Sequence, residues 1–243
     1  MIIASWNCRG AGSRSFPQKI KDIINKYYAN ILCIIEPRVS GSRADKVCRT
    51  LGFSHWMRVE ATGFSRGIWL LWNSDTFDIT YLTSSTQLLH CQVKELSCNT
   101  TSLLTIVYGE TTLVGRSTLW NSLRLLASSS TYPWLVLGDF NTYLSPTDKL
   151  GGADTPWASM CHFRECIDDT GLIEARILGE KFTWERRGLK ERLDWTFSNF
   201  EWIRSFPAFT VLHGLKFKSD HRVVVVNSKP VTPTPRPPRP FFY

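Results

Sequence analysis

No stretch of this chain approaches the roughly 18 consecutive apolar residues that a membrane-spanning helix needs. No basic leader precedes an apolar run either, since Met1 leads straight into Ile2-Ile3-Ala4-Ser5-Trp6. No C-x-x-C pair occurs among the seven cysteines, Cys8, Cys33, Cys48, Cys91, Cys98, Cys161 and Cys166. An odd count without paired spacing indicates neither a disulfide framework nor a zinc site. Buried free thiols in a reducing compartment are the simpler reading. The expectation is an intracellular protein without a membrane or a small-molecule cofactor. Acidic residues are the minority, 21 against 29 Lys and Arg, and the net charge is +8. Such a balance favours polyanionic partners, nucleic acid or anionic lipid. Three of the charges, Lys229, Arg236 and Arg239, lie beyond residue 228 with no acid beside them, leaving +5 on residues 1–228.

What is present in quantity is apolar and aromatic. Ten Trp and 14 Phe in 243 residues predict a broad core and several aromatic loop positions. Met1–Asn7 reads as a buried strand ending in a polar turn. Phe16, Ile20, Ile23, Ile24 and Tyr27 recur at helical spacing, with Pro17 in the first turn. Ile31–Glu36 is an apolar run of the kind covered on both faces, ending in a carboxylate. A second helix is expected at 43–51, closed by Gly52. Strands are expected at 55–61, 67–72, 77–82, 88–96 and 103–108. Then come a helix at 118–128, a buried strand at 134–138, a loop from 142 to 156 and a helix at 157–169. Shorter strands are expected at 182–184, 193–197 and 209–212, and a last buried one at 223–226. No sequence repeat has a fixed period. From Pro230 six of eleven residues are proline, so 229–243 reads as an extended basic linker or tail after a domain spanning 1–228.

Most expected strands end in a residue able to hold a metal or a phosphate. Asn7 ends the first, Glu36 the second, Tyr108 a middle one, and Asp139 and Asn141 another. Asp194 lies in Arg192-Leu193-Asp194-Trp195, and Asp220-His221 precede the last strand. Side chains at the ends of neighbouring strands meet at one rim of a sheet. Singly, each has an ordinary reading as a turn residue, a solvated strand end or a surface pair. Jointly they match the needs of phosphodiester hydrolysis. A divalent cation neutralises the phosphate oxygens, a carboxylate orients or deprotonates water, and an imidazolium or phenol stabilises the developing charge.

Trp6-Asn7-x-x-Gly10, Glu36, Val107-Tyr108-Gly109, Gly138-Asp139-Phe140-Asn141, Arg192-Leu193-Asp194 and Ser219-Asp220-His221 resemble the successive motifs of the endonuclease/exonuclease/phosphatase family. The match spans residues 1 to about 228. Within that family Trp6-Asn7-Cys8-Arg9-Gly10, Phe182-Thr183-Trp184 and Arg239-Pro240-Phe241 resemble the endonuclease domain of plant LINE-type retrotransposons. In such elements a reverse transcriptase follows, so the chain is expected to be a truncated copy or an excised domain. The resemblance implies a four-layer α/β/β/α sandwich of two mixed sheets, DNase I-like, with helices outside. It implies Mg²⁺, with Mn²⁺ as an alternative, held by Glu36 with Asp220 nearby. Asp139 would activate water or protonate the leaving oxygen, and Asn7 and Asn141 would hold phosphate and water. His221 would contact the phosphate, oriented and kept charged by Asp194, and Tyr108 would donate to a phosphate oxygen. Phe182 and Trp184 would flank DNA, with core packing as their other reading, and Arg9 would also face the nucleic acid.

Three departures stand out, the first being that Glu36 is followed by Pro37-Arg38 where the family often has Thr-Lys. Arg9 occupies the place where abasic-site enzymes carry an aspartate that helps the metal, which argues against a repair enzyme. Trp195 stands where the family has a basic residue, and the expectation is weaker phosphate binding. The function implied is a Mg²⁺-dependent DNA endonuclease that nicks one strand, leaving 5′-phosphate and 3′-hydroxyl ends. A monomer acting on DNA in the nucleus is expected. Two alternatives stay open: a phosphatase for a small phosphoester, and a decayed nucleic-acid-binding remnant.

Overall fold

Apolar runs with no polar alternation become strands that are covered on both faces. In the computed structural model, which describes residues 1–61, 67–153 and 156–229, this holds for Ile31–Ile35 and Trp134–Asp139. The first half runs β1 (Ile2–Asn7), α1 (Phe16–Tyr27), β2 (Ile31–Ile35), α2 (Gly41–Cys48), β3 (His55–Val59), β4 (Ile68–Trp72), β5 (Phe77–Ser84), β6 (Leu88–Glu95) and β7 (Thr100–Tyr108). The second runs α3 (Leu113–Ser129), β8 (Trp134–Asp139), β9 (Lys149–Leu150), α4 (Trp157–Thr170), β10 (Ile173–Glu174), β11 (Ile177–Gly179), β12 (Trp184–Arg186), β13 (Leu189–Glu191), β14 (Asp194–Ser198), α5 (Phe200–Ser205), β15 (Thr210–Lys216) and β16 (Arg222–Asn227).

Among the described residues the strands form two large sheets and a small one. The first is seven-stranded, in the order β11-β15-β16-β1-β2-β4-β3, and the second six-stranded, β10-β14-β8-β7-β6-β5. β12, β13 and β9 make the third. In the first sheet β1 and β2 pair parallel, with α1 as the crossover. In the second β7 and β8 pair parallel, with α3 as the crossover. The other main ladders are antiparallel, so both sheets are mixed.

The side chains sort into three cores by the alternation of each strand. Ile31, Cys33 and Ile35 of β2 meet Leu104, Ile106, Leu135 and Leu137 of the other sheet in a central core. Leu32 and Ile34 point the other way, onto Phe16, Ile20 and Ile23 of α1 and Ala44 and Cys48 of α2. Val136, Phe197 and Trp195 likewise face Trp120 and Leu123 of α3 and Phe163 of α4. Helix, sheet, sheet, helix is the expected four-layer arrangement. Seven of the ten tryptophans, Trp6, Trp69, Trp72, Trp120, Trp134, Trp195 and Trp202, are buried, so core packing takes up most of them.

Several expected boundaries move. α3 begins five residues before Thr118, because Thr112 caps it by accepting the Gly115 N–H at 3.1 Å. α2 starts at Gly41 and ends at Cys48, with a turn carrying the chain to Gly52. The strand expected at 182–184 instead begins at Trp184 and forms a hairpin with β13. β10, β11 and α5 are additions of two, three and six residues. The Pro-rich tail lies, from residue 230 onward, outside the described residues.

Gly138 shows how tightly the parallel pair β7/β8 is drawn. Its φ is +142°, and a Cβ there would sit 2.1 Å from the Val107 carbonyl oxygen. Gly171, the αL residue closing α4, has φ +61° but open space around it. Gly138→Ala is therefore expected to cost about 3 kcal/mol or more, and Gly171→Ala about 1 kcal/mol. Urea unfolding followed by circular dichroism checks both; equal losses would contradict the close approach at Gly138.

Candidate active site

Alternation along β1 turns Ile3, Ser5 and Asn7 toward the space between the sheets, and along β8 it does the same for Leu135, Leu137 and Asp139. Asn7 and Asp139 thus meet across the sandwich at its rim. Asn7 Nδ2 donates to Asp139 Oδ2 at 2.8 Å. The other oxygen of Asp139 accepts the Asn141 N–H at 2.9 Å. Asp194 opens β14 directly opposite Asp139 in the ladder. His221 stands between the two carboxylates, its Nδ1 2.9 Å from Asp194 Oδ2 and its Nε2 3.8 Å from Asp139 Oδ2. An ionised carboxylate only accepts, so Nδ1 carries the proton given to Asp194. His221 Nε2 is buried without a hydrogen-bond partner among the described residues. Asp139, Asp194 and His221 are each at most 3 % exposed, so water screens this set very little.

Burial pushes the Asp139 carboxyl up to about 7, with Asp194 adding to the rise and His221 opposing it. Burial alone would lower the His221 imidazole, but Asp194 and Asp139 outweigh it and raise it to about 9. At neutral pH His221 is an imidazolium beside a carboxylate poised to take up a proton. Tyr108 pairs with Asp139 in the β7/β8 ladder. Its phenol is raised by burial and then by Glu36 and Asp139, so it stays protonated and can donate.

Glu36 follows β2 in a left-handed backbone conformation, φ +56°, and is buried. Its Oε1 accepts from Arg38 Nε at 2.9 Å, and Arg38 Nη2 also contacts that oxygen. Its Oε2 lies 3.8 Å from Arg9 Nε, and the same nitrogen is 3.0 Å from Asp220 Oδ1. Two carboxylates from separate strand ends thus converge on one positive charge. Oxygen-only donors suit Mg²⁺, and with Glu36 buried and Asp220 17 % exposed there is a solvent side for the waters that ion keeps, so the pair fits it. The ligand atoms of Asp139, Asp194 and His221 also lie within 4.8 Å of one another. They suit Mg²⁺ less, since that trio is sealed and one member is an imidazole.

Of the sequence-expected residues, Asn7, Asp139, Asn141, Asp194 and His221 form one network, and Glu36, Asp220 and Arg9 form its neighbour. Asn141 Nδ2 donates to Gly109 O at 2.7 Å, so one amide hydrogen of Asn141, like one of Asn7, is held within the protein. Phe182 and Trp184 are both half-buried. Trp184 packs against the outer core and bridges to His221 through the backbone, so core packing describes it better than an open stacking face. Trp195 lies away from the site. It is on the opposite face of β14 from Asp194, its ring stacked on Phe197 with the Arg192 guanidinium 3.9 Å above it. The expected loss of phosphate binding through Trp195 therefore has no geometric basis.

Sequence reasoning passed over Thr183 and Ser219. Thr183 Oγ1 accepts from the N–H groups of Leu193 and Asp194 at 3.1 and 3.0 Å, fixing the start of β14. Ser219 Oγ donates to Asn7 O at 2.8 Å and accepts the His221 N–H at 3.1 Å, joining β1 to the histidine turn. Both sit inside quoted motifs, and only their small size hid them.

The model of the endonuclease/exonuclease/phosphatase family matches residues 4–221. No curated protein sequence matches the chain. Among solved structures, the endonuclease domain of TRAS1, a telomere-specific non-LTR retrotransposon, is similar with TM-score 0.67 and 15 % identity, over 93 % of this chain and 97 % of that one. The AP endonuclease LMAP from Leishmania major gives 0.70 and 15 %, over 93 % and 86 %. The 3′-5′ exonuclease NExo from Neisseria meningitidis gives 0.70 and 16 %, over 94 % and 100 %.

The raised imidazole is directly checkable. In metal-free protein, NMR titration of the His221 ring is expected to give a midpoint near 9, falling toward 6.5 in Asp194→Asn. A raised folded-state value means His221 contributes stability below pH 6.5 that is lost as pH climbs through about 9. An unshifted midpoint in the variant would remove Asp194 as the cause.

Proposed function

The chain belongs to the endonuclease/exonuclease/phosphatase family, and from that premise we propose that it is a metal-dependent DNA endonuclease of retrotransposon origin. It nicks one strand and leaves 5′-phosphate and 3′-hydroxyl ends. The observation that carries the reading is the buried Asn7–Asp139–His221–Asp194 network beside the Glu36–Asp220 pair. Mg²⁺, or Mn²⁺ in its place, would be held by Glu36 and Asp220 and would neutralise charge on the phosphate. Asp139, oriented by the Asn7 amide and the Asn141 N–H, takes a proton from the attacking water. Its raised value brings it close to the operating pH, where a general base is most effective. His221, cationic and fixed by Asp194, offers its unpartnered Nε2 to a phosphate oxygen. Tyr108 donates from the same side, and Asn7 and Asn141 have a second amide hydrogen each for phosphate or water.

DNA as the substrate is supported by the +5 charge on residues 1–228 and by the similarity to retrotransposon and abasic-site endonucleases. Acting on chromosomal DNA would place the protein in the nucleus. The absence of Asp at position 9 disfavours abasic-site repair as the role. No side chain of the proposed chemistry is missing, and the network is intact, which favours an active enzyme over a decayed remnant.

Incubation with supercoiled plasmid tests the reading. Nicked circles are expected with Mg²⁺, none with EDTA, and at least about 100-fold fewer with Asp139→Ala. Plasmid binding without nicking would establish the remnant instead. Phosphate release from a small phosphoester, with no nicking, would establish a phosphatase.

A further inference from the structure

We propose that Arg9 is the internal counter-ion of the metal site, occupying the point between Glu36 and Asp220 that a divalent cation takes, so that cation binding requires its displacement. The inference rests on the reading of Glu36 and Asp220 as the metal-holding pair. Arg9 Nε is within 3.0 Å of Asp220 Oδ1 and 3.8 Å of Glu36 Oε2, yet makes an aligned hydrogen bond to neither. Its hold is Coulombic and non-directional, which is the kind another cation can replace.

Charge counting leads to the same place. Glu36 and Asp220 supply two negative charges, and Arg9 and Arg38 supply two positive ones. These four charges cancel one another, whereas affinity for a hard divalent cation rises with the uncompensated charge of its ligands. Arg38 engages only Oε1 of Glu36. Arg9 faces the remaining oxygen and Asp220 together, so it is the charge in direct competition.

The backbone around Arg9 is built to stay while the side chain moves. Arg9, Glu36 and Arg38 all have positive φ, 47°, 56° and 55°, a conformation non-glycine residues hold only under constraint. The constraints are visible: Arg9 N–H donates to Asn7 Oδ1 at 3.1 Å, and Cys8 N–H to Ile35 O at 3.0 Å. The Arg9 side chain is 34 % exposed, so the guanidinium has a path to solvent that leaves the strand end in place.

Metal binding itself is the readout. Mn²⁺ is titrated into metal-free protein without DNA, with free Mn²⁺ followed by electron paramagnetic resonance. Arg9→Gln is expected to bind Mn²⁺ about tenfold tighter than the wild type, and Arg9→Lys, which keeps the charge, close to it. Glu36→Gln should abolish binding. In the unmodified protein, the Arg9 Nε–Hε NMR signal should shift on Mg²⁺ addition with the midpoint of ion binding, which keeps the test open if Arg9→Gln does not fold. Unchanged or weaker affinity in Arg9→Gln, or a stationary Arg9 signal, would overturn the counter-ion role while leaving the metal pair standing if Glu36→Gln still loses the ion. Binding that ignores Glu36→Gln, or none by any variant, would overturn the metal pair as well.

Discussion

The whole architecture hangs on a buried carboxylate that must be satisfied from both sheets at once. Asp139 is buried, and an unpaired buried carboxylate is strongly unfavourable. Its partners are distributed so that no single sheet can provide them. Asn7 lies in the seven-stranded sheet and His221 just before its strand β16, while the Asn141 N–H comes from the turn after β8 of the six-stranded sheet. The facing of the two sheets is thereby tied to the hydrogen bonding of one carboxylate. A one-residue slip of β1 or β8 would turn Asn7 or Asp139 into an outer core and leave the other unpaired. The packing of Ile3, Leu135 and Leu137 between the sheets holds that register by hydrophobic burial.

Topology explains why one rim collects the chemistry. β1 and β2 run parallel, as do β7 and β8, so Asn7, Glu36, Tyr108 and Asp139 all lie at or just past strand ends on the same side. β14 and β16 run against them, so their first residues, Asp194 and the preceding His221, arrive at that rim too. The small third sheet has a mechanical part in this. Its β12 segment is tied to the histidine turn by the Arg222 N–H to Thr183 O bond at 2.8 Å and the Glu185 N–H to Asp220 O bond at 3.0 Å. Thr183 then passes that constraint to Asp194.

Much of this was readable in the chain. Runs such as Ile31–Ile35 announce two-sided burial, and the two-sided cores confirm the four layers. The polar residues ending those runs are brought together as expected, because a strand end can only lie at a rim. Other features were hidden for physical reasons. β10, β11 and β9 are two or three residues long, and their pairing is decided by neighbours rather than by any pattern of their own. The first turn of α3 contains Val114 and Gly115, poor helix formers, and is held by the Thr112 cap. Trp195 reads locally as a lesion beside the site, but alternation places it in a core where its ring and the Arg192 cation pack. The meeting of Arg9 with Asp220 joins residues 211 positions apart, and no local spacing encodes it.

The site divides into two halves with opposite electrostatic character. In the Asp139–His221–Asp194 half, charges compensate one another in a nearly dry environment, and small displacements would be expensive. In that half Asp139 is bonded to the Asn7 amide and the Asn141 N–H, and Asp194 to His221 Nδ1, while His221 Nε2 has no hydrogen bond among the described residues. In the Glu36–Asp220 half, compensation comes from two guanidiniums on strained turns at the open edge, with side chains 34 % and 39 % exposed. Electrostatic preorganisation requires the first kind, because a proton must find its donor and acceptor already in place. Exchange of a cation, on the proposed reading of Glu36 and Asp220, would require the second, because the ion would enter and leave against an existing charge. Four of the chain's positive-φ non-glycine residues, Arg9, Glu36, Arg38 and Asn141, line these two halves. Strain is thus concentrated where the fold must hold unlike groups close together, and it is sustained by the hydrogen bonds that bind each turn to the strand before it.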